Sequence, residues 1–541
     1  MPMNHARHKN RYAIDIVRGL LLLAACTFAF GGHGHAADAP VARQISLQDA
    51  LRTALRQNPS TLLQQQEVNN NRGLLLQAQS QFDPVASVAS GRTRDLRSLR
   101  QDEINALQLG GVYSIQEQIV DTTTHRVGID KTLMNGVAFG TGVSITKIDD
   151  SAQRLTNIQS QTSGRLSFSL RIPLLRNSGT ETVGAQVAAS DAELSAALLD
   201  LLHINSQTVF NTAVAYWDTV AKRKRLDIAT VAEKRALELV DETRKLIAAD
   251  QSPAADIDLV VANRAEKTAA RVAAEQALID ARRVFARQLG LSTVEMSALP
   301  DPVDPLPGYS GQPIDAVKNV ERLVRAAIVT RADLEAIRKR EAAAQFRLVA
   351  ARNNLKPQLD LNFNISYAGL AEGAPATAFD RSYFSNRSGP SVASTLSLQW
   401  PFNNSQARGV LLSQSAVSDA SIIRLQDLEA TVAGNVSTLS VSLMRSVEQL
   451  LEGKEAVRRY TATMQNELTK RRLGLSTLLD VVNVEDRQNN ALLNEVQLQQ
   501  NYANAIAQLR FELGMLVRKR DDVYDVSVND LLSPDIAAPE K

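Results

Sequence analysis

Residues 53–88 read TALRQNPSTLLQQQEVNNNRGLLLQAQSQFDPVASV, and an ungapped shift of 273 positions aligns them with residues 326–361, AAIVTRADLEAIRKREAAAQFRLVAARNNLKPQLDL (357 − 84 = 273). Both stretches have the apolar spacing of amphipathic helices, and each reaches a proline, Pro84 or Pro357, that opens an extended run. Self-similarity over such a length indicates a repeated structural unit. The sequence therefore predicts a duplicated helix–strand–strand–helix architecture.

Alternating apolar and polar residues mark the expected strands, and strict period two is the pattern of a strand with one covered face. A second pair of prolines, Pro173 and Pro401, ends an alternating segment in each half. The alternation is clearest at 127–129, 143–145, 164–173, 359–367 and 396–400.

Very long helices are expected beside these strands. The chain has neither Gly nor Pro from 185 to 252 or from 254 to 289, and it has no Pro from 402 to 533. A helix of ~65 residues is about 100 Å long at 1.5 Å per residue. Each long helix turns back at a short break, near Pro253 in the first half and near Gly474 in the second.

Residues 1–37 have the pattern of an export signal, with a basic start, a short apolar run and a small-residue region. Cys26, the only cysteine, follows Leu-Ala-Ala at a possible lipoprotein cleavage box. Two interpretations stay open. Either Cys26 becomes an acylated lipid anchor, or it is discarded with the signal after ordinary cleavage near Ala37.

The two faces of the strands differ in polarity. Asp360, Asn362 and Asn364 alternate with leucine, phenylalanine and isoleucine along 359–367. In a soluble sandwich the apolar face meets a second sheet, whereas in an outer-membrane barrel it meets lipid and the polar face lines water. The export signal favours the barrel.

The bulk properties exclude several function classes. The net charge is +2, from 60 basic and 58 acidic residues, so no strong positive field attracts nucleic acid. The sequence contains no nucleophile–base set, phosphate-binding loop or zinc-ligand spacing. We therefore expect no enzyme, no cofactor, no catalytic residues and no metal site.

Taken together, these features resemble the TolC-type outer-membrane efflux and secretion channels, the outer membrane efflux protein family. The resemblance covers about residues 45–518. The stretches that carry it are ISLQDALRTALRQNP from Ile45, IPLLRN from Ile172, WPFNNS from Trp400 and the closing segment KRRLGLSTLLDVVNVEDRQNNALLNEVQLQQNYANAIAQLRFELGML from Lys470.

The resemblance implies a mixed α+β membrane protein in the outer membrane that extends into the periplasm of a Gram-negative envelope. Three copies would share one transmembrane β-barrel, which is joined to a periplasmic tunnel of twelve long helices packed as coiled coils. Its partners would be a periplasmic adaptor, an inner-membrane transporter and outer-membrane lipid. One departure is an added strand pair within 97–163, near 124–133 and 137–148, which enlarges either the barrel or its extracellular loops.

Charged residues near the helical turns hold the closed tip in this family. By resemblance, the acidic positions map to Asp258 and Asp480, and Asn483 occupies a second acidic position. Serine stands at 476, where the gate arginine is expected, so Arg471 or Arg472 is the candidate replacement.

The two aspartates permit two compatible interpretations. They are first-turn acids that stabilise helix N-termini, or they form a ring of six carboxylates at the periplasmic end of the pore. Glu485 is expected on the solvent face nearby.

The turn after the last long helix break is small and apolar. Gly474 either simply ends a helix, or Leu473, Gly474, Leu475 and Ser476 contact the adaptor, as the resemblance implies.

Four regions are expected: a signal peptide (1–37), a first efflux repeat ending in a Pro-rich linker (45–312), a second repeat (313–518) and a polar tail (519–541). The predicted function is a trimeric exit duct that passively conducts substrates expelled by an inner-membrane transporter, in tripartite efflux or type I secretion. The alternative is a periplasmic or peripheral coiled-coil scaffold without a pore, whose strands form a sandwich.

Overall fold

The computed structural model describes residues 44–109, 111, 116–155, 157–251, 253–292, 300–309, 311, 315–520 and 523–533. The expected export signal, with Cys26, lies outside the described residues, as do parts of the Pro-rich linker and the last residues of the tail. Within the described ranges, no helix combines the length and the apolar character needed to cross a membrane.

The first half of the chain forms short helices, four long strands and a helical hairpin, in the order expected. Its elements are β1 (Gln44–Ile45), α1 (Leu47–Gln57), α2 (Pro59–Gln79), β2 (Val85–Ser98), α3 (Gln101–Leu109), β3 (Glu117–Thr132), β4 (Ala138–Asp150), α4 (Ser151–Leu155), β5 (Gln161–Pro173), α5 (Thr180–Val183), α6 (Ala185–Ala248), α7 (Asp256–Leu289) and β6 (Asp301–Pro302).

The second half repeats this order with two long strands instead of four. Its elements are α8 (Asp315–Lys318), α9 (Val320–Thr330), α10 (Ala332–Asn353), β7 (Gln358–Glu372), α11 (Phe379–Phe384), β8 (Ser391–Gln399), α12 (Ser405–Arg472), α13 (Leu478–Glu512), β9 (Arg518–Arg520), β10 (Val523–Asp525) and α14 (Val528–Leu532). The predicted strands and long helices therefore exist, and the added pair in the first half is longer than expected.

Each half bends its short helix pair at one residue. Asn58 separates α1 from α2, and Arg331, 273 positions later, separates α9 from α10, with ψ angles of 127° and 124°. Gly290 and Gly514, which end the two long hairpins, have φ of +76° and +68°, and a Cβ on either would press on the backbone at these bends. Glycine is favoured where the backbone is left-handed and closely approached. The two halves thus share the contacts at these bends as well as their element order.

The six long strands form one antiparallel sheet in the order β2-β3-β4-β5-β7-β8. Its register collects the apolar residues on one face: Phe363 lies opposite Leu170, and Ile365 lies opposite Phe168. Phe168 and Ile365 are 42% and 45% exposed, so this face is uncovered along its middle. Asn364 and its polar neighbours lie on the opposite face, as period two requires.

The helices form a layer four helices wide that continues from the sheet. Beside the sheet the neighbours are α2, α6, α10 and α12, whereas at the far end α7 packs on α6 and α13 packs on both α6 and α12. With 64 and 68 residues, α6 and α12 are each ~100 Å long. A rod of this length exceeds what a compact domain needs.

The main core lies midway along the long helices, around the fully buried Trp217 and Tyr216. The Tyr216 hydroxyl accepts hydrogen bonds from the backbone N–H groups of Val303 and Asp304, both at 3.0 Å, which fixes the described part of the linker against α6. Leu531 of α14 is buried in the same core. The described linker and tail residues therefore pack against the middle of the helices and form a patch that we call the collar.

Candidate functional site

The end of the helical layer farthest from the sheet carries the predicted gate and adaptor residues. Helix α12 ends in a Schellman turn: Gly474 has φ +71°, its N–H donates to the Arg471 carbonyl at 3.0 Å, and the Leu475 N–H donates to the Lys470 carbonyl at 2.9 Å. This bond pattern closes a helix and commonly uses glycine. Leu473 and Leu475 project from the turn and are 69% and 74% exposed.

A carboxylate that sequence reasoning missed holds this turn in place. Glu467, near the end of α12, accepts a hydrogen bond from the Ser476 hydroxyl and another from the Lys470 ammonium at 3.0 Å. These two hydrogen bonds lower the pKa of Glu467 below its usual value. Ser476, which stands at the expected arginine position, therefore braces the turn.

Asp480 forms a capping box at the start of α13. The Asp480 N–H donates to the Thr477 hydroxyl at 3.2 Å, and the Thr477 N–H donates to the Asp480 carboxylate at 3.0 Å. Hydrogen bonds from the Thr477 hydroxyl and N–H lower the pKa of Asp480. Asp258 occupies the same third position of α7, but the residue before that helix is Ala255, which offers no capping side chain. Both aspartates are exposed.

The starts of α7 and α13 lie at the same level. Val260 and Val482, two residues after the respective aspartates, pack in one apolar cluster with Val240 of α6. Asp258 and Asp480 lie 222 positions apart, one after each helix break (480 − 258 = 222), and they therefore occupy equivalent positions in the two hairpins of one protomer. The structure thus brings Asp258 and Asp480 to neighbouring helix starts.

The other predicted gate residues are placed differently. The Arg471 side chain is only 15% exposed and points to α6, where its guanidinium lies 3.9 Å from the Glu242 carboxylate. Arg472 and Asn483 are exposed. The cation that acts on the Asp480 carboxylate within the protomer is Lys470. Arg471 thus joins α12 to α6.

Polar contacts between the two hairpins form a second group that the sequence did not reveal. Lys267 of α7 forms an ion pair with Asp486 of α13. Arg235 of α6 donates to Gln488 at 3.4 Å, and Gln488 donates to Thr461 of α12 at 3.2 Å. These contacts connect the α6–α7 hairpin to the α12–α13 hairpin.

The prediction that Glu485 lies on the solvent face is wrong, because its side chain is buried, with 4% exposed. Burial raises its pKa, opposed by Arg235 and Lys267 and assisted by Asp486. The spacing Val482, Glu485, Asn489 and Val496 places these polar residues on the buried stripe of α13. This spacing is the feature of the sequence that could have predicted the burial of Glu485.

Residues 323–515 match the model of the family described as outer membrane efflux protein. Comparison with curated proteins finds no relative.

Solved outer-membrane proteins share the fold. VceC of Vibrio cholerae is 16% identical, with a TM-score of 0.61 over 86% of this chain and 96% of VceC. The CmeC channel of Campylobacter jejuni is 12% identical, with a TM-score of 0.62 over 87% and 85% of the two chains. The open-state MtrE channel of Neisseria gonorrhoeae is 14% identical, with a TM-score of 0.58 over 87% and 89%.

The resemblance and the mixed helix-and-sheet fold expected from the sequence are confirmed. Residues 323–515 match the outer membrane efflux protein family, and the described chain has the fold of these outer-membrane channels.

Proposed function

We propose that three copies of this protein form a passive exit duct through the outer membrane, for substrates expelled by an inner-membrane transporter in tripartite efflux or type I secretion. The observation that carries the proposal is the join between a sheet with one apolar face and a layer of ~100 Å helices. The sheet suits the membrane, and the helices reach toward the inner membrane.

The apolar face of the sheet supports membrane insertion. Leu166, Phe168, Ile365, Leu396 and Leu398 are all exposed on it. A contiguous exposed apolar surface marks an interaction site or a membrane contact. The opposite face is polar, as in barrels that enclose water. These features favour the outer membrane as the location, with the helices in the periplasm.

The scaffold alternative requires a second sheet over the apolar face. Among the described residues, the only other sheets are the two-stranded pairs β1–β6 and β9–β10, and β1 lies in the collar. A short helix, α11, covers part of this face near Gly164 and Gly369 and leaves the middle open. The open face favours the duct over the scaffold.

The ends of the helical hairpins farthest from the sheet, the tips, supply the proposed gate and the proposed contact with the adaptor. Asp258 and Asp480 of three protomers would bring six carboxylates to the narrow end, where they favour cations. Leu473 and Leu475, exposed on the turn at 473–476, would contact the periplasmic adaptor. The transporter supplies the energy, and the duct itself carries out no chemical step.

The test is direct. We expect the protein in the outer-membrane fraction as a trimer that resists detergent and dissociates on heating, and we expect purified trimers to conduct ions in planar bilayers. A stable monomer in the soluble periplasmic fraction would overturn the proposal and favour the scaffold.

A further inference from the structure

The added hairpin β3–β4 is part of the wall of the sheet. It lies between β2 and β5 and pairs with both along most of its length, from Val85 to Ser98 on one side and from Gln161 to Arg171 on the other. Without it, β2 and β5 would have to be neighbours. The hairpin therefore adds two strands to the protomer's share of the wall, giving six.

The hairpin also reaches the end of the sheet that adjoins the helices. Its turn closes with the Gly136 N–H donating to the Leu133 carbonyl at 2.9 Å, and the Gly179 N–H donates to the Asn135 carbonyl at 3.1 Å. Gly136 has φ +91°, and a Cβ there would collide with the Asn177 carbonyl oxygen. The turn is thus seated against the segment that leads into α6, so the hairpin spans the wall from end to end.

The two edge strands are unpartnered within the protomer. Every residue of β2 and of β8 is exposed, in contrast to the inner strands. Unpaired N–H and C=O groups along an exposed edge are templates for pairing with another chain. Because the sheet is antiparallel with an even number of strands, β2 and β8 run in opposite directions, and the β8 edge of one copy suits the β2 edge of the next.

The width of the sheet matches the width of the helical layer. Strands spaced ~4.8 Å apart and tilted about 40° each occupy ~6 Å of circumference. Six strands therefore cover roughly 38 Å, close to the roughly 32–40 Å that four helices cover at 8–10 Å each. Four strands would cover only about 25 Å.

We propose that β2 of each copy pairs with β8 of its neighbour, so that three copies close an 18-stranded barrel (6 × 3 = 18) about as wide as the twelve-helix tunnel below it (4 × 3 = 12). This inference rests on the trimer proposed above. The duct then passes through the outer membrane without narrowing, and the tips form its constriction. Cargo that passes the open tips meets no narrower backbone ring at the barrel.

A cysteine pair tests whether the hairpin lies in the wall. Val88, Val127, Val143 and Leu166 are successive partners across the sheet. Val88 and Leu166 are therefore three strand spacings apart, ~14 Å, beyond the ~7 Å limit for a disulfide. Val88→Cys with Leu166→Cys should not cross-link within a protomer on oxidation. Val88→Cys with Val127→Cys is the matched positive control.

A deletion variant tests the opposite arrangement, in which β2 and β5 are direct neighbours. Removing residues 99–160 places Val88 opposite Leu166 in the same register and leaves residues 94–98 as the connecting loop. In this variant the Val88→Cys and Leu166→Cys pair should oxidise, and cryo-electron microscopy of its trimer should show a ring of twelve strands. The parent trimer should show eighteen. Deletion of α3 (101–109) is the control that shortens a connection without changing the strand count.

The outcomes separate this inference from the proposed function. A trimer that shows the Val88–Leu166 disulfide in the full-length chain, or a twelve-stranded ring with β3–β4 outside it, would overturn the wide barrel and leave the duct standing. A protein that forms no trimer would overturn both.

Discussion

Lys267 of α7 and Asp486 of α13 form an ion pair that joins the two helical hairpins of one protomer near their tips. The pair is partly covered, with Lys267 13% and Asp486 37% exposed. It lies beside the buried Glu485. The charge of Lys267 lowers the pKa of the Glu485 carboxyl, and the charge of Asp486 raises it. Ion pairs therefore hold the tips in this arrangement together with neutral hydrogen bonds and an apolar cluster.

We expect Lys267→Ala to loosen the tips. The loss of a partly exposed ion pair is worth up to about 1 kcal/mol, enough to raise the open fraction severalfold. Single-channel recordings should show longer openings, and cells should become sensitive to a large antibiotic that the outer membrane normally excludes. Lys267→Asp combined with Asp486→Lys should restore the parent behaviour. The control is Arg283→Ala, which removes an exposed pair with Asp280 on the outside of α7.

Phe363→Arg tests the membrane face. Phe363 lies on the apolar face opposite Leu170, so an arginine there would meet lipid, at a cost of about 2–4 kcal/mol near mid-bilayer. The amount of assembled trimer on an unheated gel should fall. Asn364→Arg, one residue away on the polar face, should assemble normally. Equal assembly of the two variants would contradict the assigned faces.

The double variant Asp258→Asn and Asp480→Asn tests the carboxylate ring. An asparagine at 480 retains an oxygen that can accept from the Thr477 N–H, so trimers should form. Block by divalent or polyvalent cations in single-channel recordings should weaken by roughly tenfold, since each pore loses six charges (a loss of about 1.4 kcal/mol in binding). Asp241→Asn, which changes an exposed acid on α6 that pairs with Arg244, is the control and should leave block unchanged. Unchanged block in the double variant would make the aspartates ordinary helix-start residues.

Glu485 should make the association of the tips depend on pH. Its folded-state pKa is raised by burial, so the folded protein binds this proton more tightly than the unfolded chain does. Stability should therefore rise as pH falls from neutral toward the ordinary carboxyl range, and it should be lost as pH rises through the raised pKa. The hydrogen–deuterium exchange protection factors of residues 478–489, which are corrected for the intrinsic pH dependence of amide exchange, should be larger at pH 5 than at pH 7.5. Glu485→Gln should show similar, high protection factors at both pH values, and parent protection factors that do not change with pH would contradict the prediction.

The processing of the N-terminus separates the two interpretations of Cys26. If the cysteine is the anchor, the mature chain begins at Cys26 and carries acyl chains, and Cys26→Ser should stop its lipoprotein processing. A mature chain that begins near Ala37 would instead show that the signal is removed by ordinary cleavage, together with Cys26. Mass spectrometry of the purified protein distinguishes the two by the first residue and the added lipid mass.

Local patterns in the sequence were sufficient for the elements and for their duplication. Period two along 359–367 predicted β7, the absence of breakers from 185 predicted α6, and Pro84 and Pro357 marked the same junction in both halves. Apolar periodicity and chain-breaking residues act over a few residues, so they can be recognised without knowing what each element packs against.

The tertiary structure decided which polar residues are buried and which strands are neighbours. The spacing of Glu485 places it on the buried stripe of α13, but the approach of α6 and α7 decides which charged groups surround its carboxylate. Arg471 reaches Glu242, and Ser476 reaches Glu467, across distances that sequence spacing does not define. The position of β3–β4 within the wall likewise depends on pairing with β5, because a strand pattern specifies a face and not a partner. The sequence by itself determined the elements, whereas long-range packing determined the contacts at the tips and the width of the sheet.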